Sequence, residues 1–202
     1  MARLKEDLQT ELEIKKSRFL CYLHASTSEE DAKNFIQQIK KAHPNATHHC
    51  YSFVIGEQNE IQRSNDDGEP SGTAGVPMLD VLNKAGMQDI VAVVVRYFGG
   101  IKLGAGGLIR AYGKSVSNAL SFAKKTTRMT MHKYQLTFSY DLIGKLDHYF
   151  RTHSIEVINK EYNEQITYEY LCKTAIDMDI SEMSNGMFLP VFIEDVYVDV
   201  DI

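Results

Sequence analysis

"DIVAVVVRYF", Asp89 to Phe98, decides the architecture. Ile90 to Val95 is an unbroken aliphatic run rich in valine, with no polar residue at alternate positions. A half-exposed strand would alternate, so this pattern predicts a central strand covered on both faces. The run ends on Arg96 and passes into a glycine-rich loop, "GGIKLGAGG", Gly99 to Gly107. A helical pattern follows, "LIRAYGKSVSNALSFAKK", with a basic last turn that suits the helix dipole.

Working back from the strand, "NDDGEPSGTAGVPML" (Asn65–Leu79) is a second loop crowded with turn residues and acids. Pro77 fits the first helical position, and Met78, Leu79, Val81, Leu82 and Ala85 make an apolar face that Gly86 closes. "HHCYSFVIG" reads as a strand with "EIQRS" as its hairpin partner, and "TELEIKKSRFLCYLHAS" as one or two strands. Thr27 and Glu30 form a capping box before a helix with Ala32, Phe35, Ile36 and Ile39 on one face, stopped by Pro44.

Downstream of Met131 the order changes. "KYQLTFSY" is a strand, Asp141 an N-cap, and "LIGKLDHYF" a helix. "SIEVINKEY" and "ITYEYL" form a hairpin, "AIDMDISEMSNG" a short helix ending at Gly186, and "LPVFIEDVYVDV" a last strand. The β-α-β-β-α-β order is ferredoxin-like. Charge shifts at the same place. Residues 131–202 carry 5 Lys+Arg against 13 Asp+Glu, a net of −8, whereas residues 1–130 carry 17 against 14, a net of +3. Two domains are expected, 1–130 and 131–202, meeting near residues 126–133.

Composition bounds the function. With 202 residues, 44% hydrophobic and 24% charged, the chain is that of an ordinary globular protein with a sizeable core. No apolar run approaches the roughly 20 residues that a bilayer requires, and the first residues hold no apolar signal segment. Cys21, Cys50 and Cys172 are odd in number and widely spaced, the usage of free thiols in a reducing cytoplasm.

Both glycine loops lead into helix starts, where unpaired N–H groups and the helix dipole accept anions. The candidate anion or nucleic-acid site comprises Arg96, Gly99, Gly100, Lys102, Gly104, Gly106, Gly107 and Arg110, with Gly72, Thr73 and Gly75 from the first loop. The alternative is that the glycines only permit positive φ and close packing. Gly113-Lys114-Ser115 is no P-loop, because Leu108 stands where its first glycine is needed and the triplet lies inside a helical pattern.

Asp66, Asp67 and Glu69 fit no EF-hand spacing, so they are read as a structural acidic loop: Asp66 and Asp67 capping turns, Glu69 pairing with Arg63 or Arg96. No metal and no cofactor are expected. His48 and Cys50 share a strand face, but His49 points away and no second ligand pair accompanies them or the upstream His43, so zinc is disfavoured. A catalytic alternative uses Glu69 or Asp66 as base with His48 or Cys50 nearby, although no orienting group or oxyanion motif completes it.

Taken in order, "HHCYSF", "DDGEPSGTAGVPML" and "AVVVRYFGGIKLGAGGLIRAYG" resemble the IMPACT/YigZ family, with the signature "RYFGGIKLG". The resemblance covers residues 15 to 125 closely, and the remainder is similar to the smaller C-terminal domain of bacterial members. It implies an α+β protein: a ribosomal protein S5 domain 2-like N-terminal domain, then a ferredoxin-like domain similar to the last domain of elongation factor G. It further implies RNA or ribosome binding and a part in translation control. Eukaryotic relatives compete for a kinase activator with help from an RWD domain. These 202 residues leave no room for one, so that partner is not expected here. The competing expectation is an enzyme acting on a small anionic substrate in the same cleft.

Overall fold

The computed structural model describes residues 1–202. It is a mixed α and β molecule built on antiparallel strand pairs, with a parallel bridge between Ala2 and Met87. Two compact units divide it: Met1–Thr127 with Val200–Ile202, and Arg128–Asp199.

In the first unit, the run at Asp89–Phe98 folds as β6 (Ile90–Tyr97). It lies in the middle of a five-stranded sheet of order β2-β3-β6-β4-β5, with β2 (Leu8–Ile14), β3 (Ser17–Ala25), β4 (His48–Ile55) and β5 (Ile61–Asn65). The missing alternation has a direct cause. Ile90, Ala92 and Val94 pack under α2 (Gly75–Lys84) and α3 (Ala105–Phe122) with Met78, Leu82, Tyr112 and Val116. Val91, Val93 and Val95 face the opposite side, with Ile36 and Ile39 of α1 (Glu29–Ala42). Each of the six residues from Ile90 to Val95 is fully buried. The strand β1 (Ala2–Leu4) pairs with Lys125–Thr127 at the start of β7 (Lys125–Phe138). Buried Arg3 anchors β1 by an ion pair to Asp89 at 2.6 Å.

Local signals shift by a residue or two. The cap of α1 is Ser28, whose Oγ accepts from Asp31 N–H, rather than Thr27. In "TSEE" both residues are of a capping type. Pro77 stands third in α2, because the helix opens at Gly75. A Cβ on Gly75 would lie 2.6 Å from Asn65 N, so only glycine lets the helix start so close to the end of β5. Lys124 and Lys125 do not end α3. It stops at Phe122, and Lys125 is drawn into the ladder with β1. The division between the two units, at Thr127/Arg128, falls inside β7.

In the second unit the order is the rest of β7, a 3-10 turn (Tyr140–Leu142), α4 (Ile143–Thr152), β8 (Glu156–Tyr162), β9 (Ile166–Cys172), α5 (Asp177–Met183) and β10 (Val191–Asp201). Strand β9 pairs with both β7 and β8, and β10 pairs with β7, giving the order β10-β7-β9-β8. The alternate residues Leu136, Phe138, Ile166, Tyr168 and Tyr170 form the core with Leu146 and Phe150 of α4 and Ile180 of α5. Asp141 lies within the 3-10 turn that precedes α4 and does not cap that helix. All three cysteines are buried and unpaired.

At the end of β6, Gly99 packs on the β2–β3 turn. An added Cβ there would sit 2.0 Å from the Lys16 carbonyl, and its N–H donates to Ser17 Oγ at 3.1 Å. Gly99→Ala forces backbone apart and should cost about 1–3 kcal/mol. Thermal unfolding should then show a Tm lower by roughly 2–4 °C per kcal/mol. An unchanged Tm would show that the turn yields freely.

Candidate functional site

Arg96 is the last core-side residue of β6, two positions beyond Val94. Its register neighbours across the sheet are Phe19 on β3 and His48 on β4. A guanidinium at that depth requires a countercharge. Glu69 supplies it: Arg96 Nη1 donates to Glu69 Oε1 at 2.6 Å, and Tyr112 OH of α3 donates to the same oxygen at 2.8 Å. Arg96 and Glu69 are both buried. The Arg96 guanidinium also lies over the rings of Phe19 (5.5 Å) and Phe98 (5.4 Å). Its Nε is buried without a hydrogen-bond partner.

Above this pair opens a cleft of about 440 Å³, lined by Thr47, His48, Glu69, Pro70, Arg96, Phe98 and the segment Lys102–Ala105 with Leu108. The start of α3 forms one wall. Its N-cap, Gly104, has φ 69° and supplies no side-chain acceptor, so the first N–H groups of the helix are free to meet a ligand. Lys102 is exposed and makes no ion pair within the chain.

The start of α2 is different. Asp66 accepts from Gly72 N–H (2.8 Å), Ala74 N–H (3.0 Å) and Gly75 N–H (2.8 Å). Burial alone would raise this carboxyl; the three N–H bonds outweigh it and hold the pKa below the ordinary value. The protein's own carboxylate thus fills the cradle expected to take an external anion. Thr73 bonds back to the Pro70 carbonyl through both its N–H (3.1 Å) and its hydroxyl (2.6 Å). The N–H groups of Gly72 and Gly75 and both polar groups of Thr73 are therefore used within the chain.

Asp67 braces the other side. It takes Lys40 Nζ at 2.8 Å and His49 N–H at 2.7 Å, which together outweigh burial and lower its pKa. Glu69 chooses Arg96, while Arg63 lies on the surface 3.8 Å from Glu29.

Residues 15–120 match the family model described as the Impact N-terminal domain. The relative described as "IMPACT family member YvyE" of Bacillus subtilis is 47% identical over 187 residues, spanning 91% of this chain and 86% of its own. The chain belongs to the IMPACT family. "IMPACT family member YigZ" of Escherichia coli is 41% identical over 152 residues, 74% of each chain. The "Protein IMPACT homolog" of Dictyostelium discoideum is 39% identical over 97 residues, 45% of this chain and 27% of that one. A solved structure described as "Crystal structure of an hypothetical protein" is 33% identical, with a TM-score of 0.62 over 96% of this chain and 97% of that one.

In this IMPACT-family protein, then, Glu69, His48, Arg96, Lys102 and Gly104 come together in one cleft. Gly100, Gly106, Gly107 and Arg110 lie on the loop and the first turns of α3 but outside its lining. Gly99 serves packing, as its contact with Lys16 shows. Cys50 is excluded as a nucleophile: it is fully buried, its Sγ donates to Asp66 O at 2.9 Å, and burial pushes its pKa to about 12. His43 and His49 are engaged elsewhere, His43 between Tyr22 OH (2.6 Å) and Tyr97 OH (2.8 Å), and His49 on the His43 carbonyl (2.9 Å). No group of three or more His, Cys, Asp or Glu side chains is placed to hold a metal ion.

His48 bonds the Asp67 carbonyl through Nδ1 at 2.9 Å, so that nitrogen carries the proton. Its Nε2 lies 3.8 Å from Glu69 Oε2 at the cleft floor. Sequence reading missed Tyr112 and Phe98. Phe98 was detectable, because it stands two residues after Arg96 and so continues the same strand face.

Two outcomes test these assignments. Arg96→Met strands the Glu69 carboxylate and should destabilise by about 3–5 kcal/mol, visible in a denaturant melt. The folded-state pKa of Asp66 lies below its unfolded value. Its contribution is therefore present at neutral pH and lost as pH falls through the folded value. Asp66→Asn should lower stability at pH 7 and flatten the acid limb of a Tm–pH curve below about pH 4. An unaltered acid limb would refute the capping role.

Proposed function

We propose that this IMPACT-family protein binds phosphate-bearing ligands, RNA or the ribosome foremost, in the cleft at the start of α3, as part of a translation-associated cytoplasmic role. The observation that carries the reading is the uncapped start of α3, set beside exposed Lys102 in one concave surface. Helix-end N–H groups and a nearby cation together favour a phosphate. One glycine loop supplies this site; the other is closed by Asp66.

The same reading takes residues 1–130 as an IMPACT-type domain of ribosomal protein S5 domain 2-like fold. Residues 131–202 are taken as ferredoxin-like, similar to the last domain of elongation factor G. The β10-β7-β9-β8 order with α4 and α5 supports the second assignment, and two helices on one face of an antiparallel sheet support the first. No helix is long and apolar enough to cross a membrane.

RNA association should fall as salt rises, and Lys102→Ala should reduce the log–log salt slope by roughly 0.7–0.9. Arg110→Ala, outside the cleft lining, should change it less. Salt-independent binding, or none at low salt, would refute the nucleic-acid reading. A second reading, an enzyme acting on a small anionic substrate, draws on His48 Nε2 and Glu69 Oε2 at the same floor. Turnover of a small phosphate ester that His48→Gln abolishes would put it ahead.

A further inference from the structure

The phosphate reading uses only the polar part of the cleft. Most of its wall is apolar: Pro70, Phe98, Leu103 and Leu108. Phe98 stands out among them, 47% exposed at the end of a strand whose preceding core-side residues are buried. The Arg96 guanidinium lies 5.4 Å from its ring, and Glu69 fixes that guanidinium in turn. The Phe98 backbone is held as well, by its N–H on Thr47 Oγ1 at 3.1 Å. The ring is thus an aromatic surface beside a fixed cation and about half exposed to solvent.

Resting on the phosphate reading, we infer that the cleft seats one nucleotide with an unpaired base: the base against Phe98 and the apolar wall, the phosphate at the start of α3 by Lys102. A cleft of about 440 Å³ falls within the range that takes a small organic ligand. Bases stack on aromatic side chains when they are not already stacked in a duplex, so this seat selects single-stranded RNA over paired RNA. A phosphopeptide fits less well, since Arg96 is already committed to Glu69 and the half-exposed group beside it is a flat ring. The nucleotide arrives either within a strand or free.

Fluorescence anisotropy tests this with a 5′-phosphorylated single-stranded RNA about ten nucleotides long, an abasic strand of equal length, the matching duplex, and AMP as competitor. The wild type should prefer the base-bearing single strand. Phe98→Ala should weaken that strand about 5- to 100-fold and leave the abasic strand unaffected, with Phe98→Tyr restoring binding. Lys102→Ala should weaken both strands. Displacement by AMP assigns the seat to a free nucleotide, and a Phe98 effect without displacement assigns it to the strand. Equal binding of base-bearing and abasic strands, or a folded Phe98→Ala that binds as wild type, overturns the base seat and leaves the phosphate reading standing. No binding of either strand at low salt removes both.

Discussion

The ion pair between Arg96 and Glu69 is the constraint around which the first unit is arranged. A full positive charge ends the most buried strand of the protein, and it is tolerable there only with a carboxylate partner. Meeting that demand ties three distant segments to one point: the strand, the acidic loop through Glu69, and α3 through Tyr112. Burial, with Cys50 and Glu69 alongside, pushes the Tyr112 phenol far up, so it remains a donor to the carboxylate. The cleft is what remains above this junction once its charges are matched.

The acidic loop shows how one short stretch divides its labour. Asp66 looks inward to the start of α2, Asp67 sideways to Lys40 and His49, and Glu69 down to Arg96. Three carboxylates so close together would repel strongly if they shared a partner. Each has its own, so the loop is held in shape before any ligand arrives. Preorganisation of this kind spares a binding site the cost of ordering a loop.

Much of this was legible in the sequence, and the limits are physical. The central strand was clear because burial on both faces erases alternation. A carboxylate for Arg96 was expected from its position alone. Glu69 was named for Arg63 or Arg96; that it takes Arg96 depended on the path of the loop, which no local pattern encodes. The occupied start of α2 was hidden for a related reason: a glycine-rich turn reads the same whether its N–H groups face solvent or a carboxylate eight residues back in the chain. The loss of Lys125 from α3 follows from strand pairing with β1, a long-range effect that outweighs local preference. Phe98 was overlooked because an aromatic at a strand end is ordinarily packing; its exposure is a property of the folded surface.

The close packing of Gly99 on Lys16 reaches beyond a single glycine. The β2–β3 turn holds Lys15 and Lys16 at φ 48° and 62°, a backbone state that side chains seldom adopt. Ser17 Oγ then accepts from Gly99 N–H and lies 3.5 Å from Arg96 Nη2. The root of the glycine loop is therefore welded to the hairpin, and its outward sweep from Gly100 to Gly104 acts as a short cantilever. A ligand held at the start of α3 would in this way depend on the strength of the hairpin turn on which the loop is rooted.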